Sequence, residues 1–364
     1  MSVSIMTLSV VAQPFGGINF VLTMMPPGFA SVLLVFIAFS ACHAEDGVPK
    51  FPMKLENVLP IEAPRANYSA MFWHIHKSGG TTVKNFASVC LNLTLASEVG
   101  IREGHINDQV TVLVPNCCLT APTQLFGSQE LKAVQFGLDG PLFVNVDTST
   151  IEGMDRAQRM GFQQKPLADV VVTPLLIPAV EKLFSPQHRA LFFTIMRHPV
   201  DRAISQFYYL QKATWEPTYN PKTANMTLME FIENEPLEIN WMTRQLSGKM
   251  LGDIYEQDFD AAKDILKNYC WIGIVTHMEE TIRRFGQLLG WNRDKAKWNY
   301  CVDWLGKNTA NSHKHQRFHP NSPEWKKLEE INAWDVELFE YAVYQFRKQG
   351  ARHFPQIALE MASS

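Results

Sequence analysis

The stretch Met71–Thr82 constrains the fold more than any other part of this 364-residue chain. It reads Met-Phe-Trp-His-Ile-His-Lys-Ser-Gly-Gly-Thr-Thr, and Val83, Phe86, Ala87 and Val89 follow at helix-compatible spacing. An apolar run, a polar glycine-rich turn and a second apolar run predict strand, turn and helix. Glycine lets a backbone come close to a bound anion. The N–H groups that open a helix point at such an anion, and Lys77 adds a full positive charge. Lys77, Ser78, Gly79, Gly80, Thr81 and Thr82 are therefore the candidate cradle for a nucleotide or phosphosulfate donor.

A second motif lies at Phe192–Ser205. An apolar strand ends at Arg197, Pro199 turns the chain, and Ala203, Ile204, Phe207 and Tyr208 mark a helix. Open α/β sheets bind ligands at the carboxyl ends of their strands, which is where this reading puts Arg197. The guanidinium fork suits a phosphate because it donates two parallel hydrogen bonds. Ser205, two turns into the helix, can face the same site. Alone, Arg197 would read as a strand-end arginine in a surface ion pair; the upstream motif gives it a ligand.

Strand-like and helix-like segments alternate from Ala70 onward. The strands expected are Met71–Ile75, Val110–Val114, Leu142–Val146, Val170–Thr173, Leu191–Met196 and Trp271–Val275. The helices expected are Thr82–Leu91, Met154–Gly161, Ile177–Phe184, Val200–Lys212, Leu228–Asn234, Phe259–Lys267, Glu279–Leu289 and Pro323–Gln349, the last breaking near Asn332. Such alternation predicts an α/β fold, P-loop-like and three-layered, with a mostly parallel central sheet flanked by helices.

The lysine comes before the glycines here, whereas a Walker A loop places it after the last one. The order Lys-Ser-Gly-Gly-Thr-Thr instead resembles the 5′-phosphosulfate loop of sulfotransferases, in particular the Golgi-type heparan sulfate 6-O and 2-O enzymes. The resemblance covers about residues 70–350. It extends to the family pattern Arg-Asp-Pro-x-x-Arg-x-x-Ser, matched at Arg197, Pro199, Arg202 and Ser205, with His198 in place of the aspartate. It also extends to Glu238–Leu246, which is similar to the family's helix beside the acceptor cleft, and to Asn308–Arg317, similar to a polar loop over the donor.

The resemblance implies 3′-phosphoadenosine 5′-phosphosulfate (PAPS) as donor, Lys77 and the turn at its 5′ side, and Arg197 with Ser205 at its 3′-phosphate. It implies a glycan acceptor, and no metal, since lysine and arginine supply the counter-charge. The family's base is the histidine of a His-Ala-Asp-Trp segment. The best local match, Leu167-Ala168-Asp169-Val170, puts Leu167 in its place. His105 is chosen as base, with Asp169, Asp147 and Glu103 as rivals. Arg244, Lys249, Lys307 and His313–Arg317 are candidate contacts for an anionic acceptor, and Trp215, Trp241 or Trp304 for stacking on sugar rings; a neutral acceptor or a phenol stays open. Two other classes compete. Leu142–Asp147 imitates the strand and aspartate that hold Mg²⁺ in P-loop phosphotransferases, and a secreted, non-catalytic nucleotide-binding domain would keep both motifs.

Composition narrows the setting. Apolar residues make up 46% and charged residues 19%, which places the chain among ordinary globular proteins. The formal net charge of −3 argues against general nucleic-acid binding. Residues 1–44 hold no Lys, Arg, Asp or Glu, and the apolar run Gly28–Ala41 reads as a secretory signal or an uncleaved anchor that would tie the chain to a membrane. Residues 45–68, with four prolines, read as a stem, and 69–355 as the catalytic domain. Sequons at Asn67, Asn92 and Asn225 agree with a secretory, Golgi-lumenal or secreted protein. In an oxidising lumen, Cys270 with Cys301, and Cys90 with Cys117 or Cys118, are possible bridges.

Overall fold

The computed structural model describes residues 6–12, 18–24, 51–61, 67–98, 130–135, 140–214, 219–235, 237–307 and 316–363. The chain divides into Met1–Val48 and Pro49–Ser364. In the first unit β1 (Met6–Ala12) pairs antiparallel with β2 (Ile18–Met24). The apolar run Gly28–Ala41 lies outside the described residues. Among the described residues, no helix is long and apolar enough to cross a membrane.

The second unit is built on one sheet of seven strands: β3 (Tyr68–Trp73), β4 (Leu95–Ala96), β5 (Ala133–Gln135), β6 (Leu142–Val144), β7 (Val170–Thr173), β8 (Arg189–Met196) and β9 (Trp271–Ile274). Their order across the sheet is β5-β6-β4-β7-β3-β8-β9. Every pairing is parallel except the edge pair β5–β6. The expected strand Val110–Val114 lies outside the described residues. Beside the sheet stand α1 (Gly80–Asn85), α2 (Ile151–Arg159), α3 (Leu176–Leu183), α4 (Pro199–Leu210), α5 (Leu228–Asn234), α6 (Trp241–Ser247), α7 (Glu256–Asn268), α8 (Met278–Leu289), α9 (Lys295–Lys307), α10 (Pro323–Ile331), α11 (Ala333–His353) and α12 (Pro355–Ser363).

Side chains alternate across a strand, so each strand feeds two cores. Met71 and Trp73 of β3, Val171 of β7 and Phe192 of β8 pack with α2, α3, α6, α7 and α11. Ala70 and Phe72, Val170 and Val172, and Leu191, Phe193 and Ile195 face the other way, onto α1, α8 and α9. The strands are buried on both faces, so their sequences are near-continuous apolar runs. This is the three-layer α/β fold that the alternation of segments predicts.

Two expectations are corrected. The helix after the phosphate turn is not uniform: α1 passes into a wider π turn over Phe86–Cys90, closed by the Leu91 N–H donating to Phe86 O at 3.0 Å. Beyond it, Cys90 is bonded to Cys301 of α9, with Cα atoms 5.7 Å apart. Cys301 is therefore not paired with Cys270, which is buried and free, and Cys90 does not take Cys117 or Cys118. Packing of α9 against the π turn brings together two cysteines 211 residues apart.

One buried polar lock places the elements around the site. Asn240, in the left-handed region at φ 51°, precedes α6. Its N–H donates to Asn332 Oδ1 at 3.0 Å, and its own Oδ1 accepts from the Asp335 N–H at 3.1 Å. Asp335, fully buried, accepts from the N–H groups of Met242 and Thr243 and from Thr243 Oγ1, at 2.8–3.0 Å. These bonds tie the start of α6 to the break between α10 and α11 at Asn332. Replacing Asp335 by alanine leaves two buried N–H groups without an acceptor. The expected loss is about 2–3 kcal/mol, read from urea unfolding; an unchanged midpoint would show that water takes the place of the carboxylate.

Candidate active site

β3 and β8 are parallel neighbours, with Trp73 opposite Thr194. Both therefore end on the same edge of the sheet, and the two motifs meet there. Arg197 Nη1 donates to the backbone oxygen of Lys77 at 3.1 Å. Burial pushes the Arg197 pKa down and Asp201 partly restores it; a guanidinium starts so high that it stays charged.

The turn is shaped by its two glycines in different ways. Lys77 and Gly79 both sit in the left-handed region, at φ 62° and 83°. Gly79 adopts it freely, whereas Lys77 is a non-glycine residue held there by its surroundings. Gly80 opens α1 and is needed for space: a Cβ on it would stand 1.9 Å from His74 Cδ2. The Ser78 N–H donates to Ile75 O at 3.2 Å, and those of Thr82 and Val83 to Gly79 O at 3.0 and 3.4 Å. Ser78 is 1% exposed, and its Oγ has no hydrogen-bond partner among the described residues. A buried hydroxyl left so is costly unless something else bonds to it.

The Lys77 ammonium rests 4.0 Å from the centroid of the Tyr209 ring. Tyr209 lies four residues after Ser205 on α4, so the two share one helical face. That places Ser205 on the face of α4 that reaches the Lys77 turn. His198 stands elsewhere: its ring stacks on Trp325 at 5.3 Å and meets Phe339 edge-on at 5.5 Å. The histidine that replaces the family's aspartate thus supports the loop from the α10–α11 side.

Behind the turn is a half-buried charge cluster. Lys84 of α1 is ion-paired with Glu98, just past β4. Burial pushes the Glu98 pKa up, but the Lys84 charge and hydrogen bond outweigh it and hold the carboxyl at about 2. Burial, with Lys84 and His76 adding to it, pushes His74 down to about 3. The imidazole against Gly80 is therefore neutral at physiological pH. His76 is half-buried, with its ring 5.8 Å from those of both His74 and Trp241. Neither the two histidines nor Glu98 and Tyr209 stood out as site residues in the sequence; His74 and His76 were visible only as part of a strand, and Glu98 follows a strand of two residues.

Asp169, one of the expected base residues, does not assemble with this edge. Asp169 precedes β7, at the opposite end of the sheet from Lys77, separated by a strand of roughly 13 Å. Its carboxylate accepts from the Thr94 N–H at 2.8 Å, which is a structural task. Leu167, matched to the family's histidine, is at that same wrong end, so the local match is out of place. The end of β7 that reaches the turn is Thr173, whose oxygen accepts from the His74 N–H at 2.8 Å. Asp147 braces the turn before α2, accepting from Ser149 N–H and Oγ at 2.7 Å and from Oγ1 of Thr150, the residue that caps the helix, at 3.1 Å. His105, Glu103, Trp215 and His313–His315 lie outside the described residues. Arg244 donates to the oxygens of Ile239 and Lys249, and Trp241 stacks on Trp73 at 5.5 Å.

A family model described as the sulfotransferase family matches residues 65–342. The chain belongs to the sulfotransferase family. The match contains both turns that meet at Arg197 and Lys77, and the phosphotransferase reading of Asp147 falls with it. No curated protein matches the chain.

The cluster predicts an acid response. Between pH 6.5 and about 3 the unfolded chain protonates His74 while the folded one does not, so stability falls as pH drops through that range. The Glu98 ion pair contributes above its ordinary 4.5 and is lost only as pH falls from there toward about 2. The interval from pH 6.5 to 4.5 therefore leaves Glu98 out, and His188 and His198, which burial also pushes down, share it with His74. Urea unfolding should show a loss to which His74 contributes up to ~1.4 kcal/mol per pH unit, and His74→Gln should reduce the slope by that share. An equally steep loss in the variant would assign the response to another group.

Proposed function

We propose that this sulfotransferase uses PAPS and moves its sulfuryl group to a hydroxyl of a glycan, of the glycosaminoglycan type, in the secretory pathway. The observation that carries the reading is the 3.1 Å hydrogen bond from Arg197 to the Lys77 carbonyl, which puts two anion-ready turns side by side on one edge of a parallel sheet. The residues fit such a donor. Ser78 Oγ is buried and unpartnered beside the turn, and Gly80 leaves room for close approach. Lys77, Ser78, Gly79, Gly80, Thr81 and Thr82 would hold the 5′-phosphosulfate, and Arg197 with Ser205 the 3′-phosphate.

When bound, the donor supplies an activated sulfuryl group whose departure leaves negative charge on the bridging phosphate oxygen. Lys77 and the N–H groups opening α1 stabilise that charge electrostatically. Arg197 contributes a second cation, and by bonding to the Lys77 carbonyl it holds the turn in its left-handed form. His74, kept neutral by burial, packs the turn from behind without adding charge. The acceptor proton needs a base. His105 is the proposed one on its place in the sequence, between the two donor motifs. His76 is the alternative on position, because it precedes Lys77 and borders Trp241, an acceptor-side ring.

Residues 1–44 would act as the targeting segment and 45–68 as the stem. Support for the compartment comes from the Cys90–Cys301 bridge and from Asn67, Asn92 and Asn225, all exposed. Support for an anionic acceptor is limited to Lys249 and Arg317 among the described candidates.

The test is transfer of labelled sulfate from PAPS to a glycan panel. Lys77→Ala should abolish transfer with the fold retained; full activity would remove Lys77 from the reaction. Arg197→Ala should weaken adenosine 3′,5′-bisphosphate by about 1.5–3 kcal/mol in calorimetry, and unchanged affinity would refute the 3′-phosphate site. His105→Ala and His76→Ala, compared at saturating donor, identify the base by a fall of ~100-fold or more. Binding without turnover on any acceptor would make this a non-catalytic donor-binding domain.

A further inference from the structure

The amino ends of the strands, far from Lys77, carry the larger of the two notable clefts. Its volume is about 550 Å³. Tyr68 and Trp291 give it aromatic walls, and Arg293, Lys297, Asp169 and Asp294 place both signs of charge around them. Trp291 is fixed by an edge contact to Phe193 at 6.2 Å. Lys297 is anchored by donating to the Leu91 oxygen at 2.8 Å. Flat apolar walls beside a few polar groups of mixed sign suit a neutral, hydroxyl-rich ring more than an ion.

Two sequons border this cleft. Leu91 and Leu93 both line it, and Asn92 is between them. Tyr68 and Ser69 line it as well, directly after Asn67. Asn92 is exposed and in the left-handed region at φ 56°, in the turn between the π turn and β4. Two residues before it, Cys90 is in the bridge to Cys301, which requires an oxidising compartment. Asn92, in its left-handed turn, has cleft residues on both sides.

We propose that Asn92 is N-glycosylated and that the innermost sugars of its glycan are seated in this cleft against Trp291. The inference rests on the secretory part of the proposed function and not on its chemistry. In the modification, the Asn92 side-chain nitrogen forms a bond to the anomeric carbon of a lipid-linked oligosaccharide diphosphate. The bond from that carbon to the diphosphate oxygen breaks, the lipid diphosphate leaves with the electron pair, and one amide proton is lost to a base of the host oligosaccharyltransferase. A seated glycan covers the amino edge of the sheet and leaves the Lys77 edge open.

The experiment uses the full chain made in mammalian secretory cells. Peptide mapping after enzymatic release, which turns an occupied asparagine into aspartate, should find Asn92 occupied; a bare Asn92 overturns the proposal. The seat is read by an endoglycosidase that cuts between the two innermost sugars. Cleavage at Asn92 of the native protein should be about tenfold slower than in Trp291→Ala, the factor that ~1.4 kcal/mol of seating gives. Arg293→Ala, exposed and outside the core, is the second variant should Trp291→Ala fail to fold. Equal rates in all forms would show a glycan that does not use the cleft. Asn92→Gln should leave sulfate transfer unchanged, so a chain that is glycosylated but inactive sinks the functional reading alone, and an active chain bare at Asn92 sinks this one alone.

Discussion

The parallel pairing of β3 with β8 is the constraint on which the site depends. It makes Lys77 and Arg197, 120 residues apart, exit the sheet on one edge, and the Arg197–Lys77 carbonyl bond then fixes their spacing. A guanidinium bonded to a backbone oxygen does two things at once. It satisfies a carbonyl turned aside by a left-handed lysine, and it keeps a charge within reach of whatever the turn holds. An antiparallel β8 would send Arg197 to the other edge, and no choice of side chains in the turn would restore the site.

Charge is distributed around this point with little waste. The cations that face the donor pocket, Lys77 and Arg197, have an aromatic ring and a carbonyl as resting partners, and either partner is weak enough to yield to a phosphate. The cation behind the turn, Lys84, is instead ion-paired with the half-buried carboxylate of Glu98. His74, between them, is neutral because burial beside two lysines disfavours a third positive charge. The net field at the turn is thus set by residues that can engage a ligand, while the lysine one helical turn deeper is neutralised.

Much of this fold is legible in the sequence because a parallel sheet buried on both faces writes itself as apolar runs. Val170–Thr173 and Leu191–Met196 are such runs, and the pair Ser322-Pro323 marks the start of α10, where Ser322 Oγ accepts from the Trp325 N–H at 3.3 Å. β4 has two residues and β5 is a short edge strand, too brief for any periodicity to report. α6 is begun by a left-handed asparagine and capped by Asp335 from a distant helix, so its start has no local signature. The Cys90–Cys301 bridge depends on how α9 packs on a π turn, which spacing alone does not encode. Both phosphate-type turns were readable since their chemistry is contiguous; the base was not, since it depends on which end of which strand a residue leaves.

That last point narrows the search for the base. In a parallel sheet the carboxyl edge is supplied only by segments that follow strands. Here those are the turn after β3, the stretch after β4 with Glu98, the turn after β6 with Asp147, the loop after β7 beginning Pro174-Leu175, the turn after β8 with Arg197 and His198, and the turn after β9 with His277. Glu98 is held at about 2 by Lys84 and is a poor acceptor of a proton, and Asp147 is engaged by Ser149 and Thr150 in the turn before α2. Pro174 and Leu175 offer no basic side chain. His198 is stacked on Trp325, so position on the edge leaves the β3 turn and the β9 turn beside it; in the first His74 is closed off against Gly80 while His76 borders Trp241, and in the second His277 meets Phe346. His105 follows Glu98 in sequence and lies outside the described residues. The proposed base is thus carried either by the turn after β3, at His76, or by the segment beyond β4, at His105.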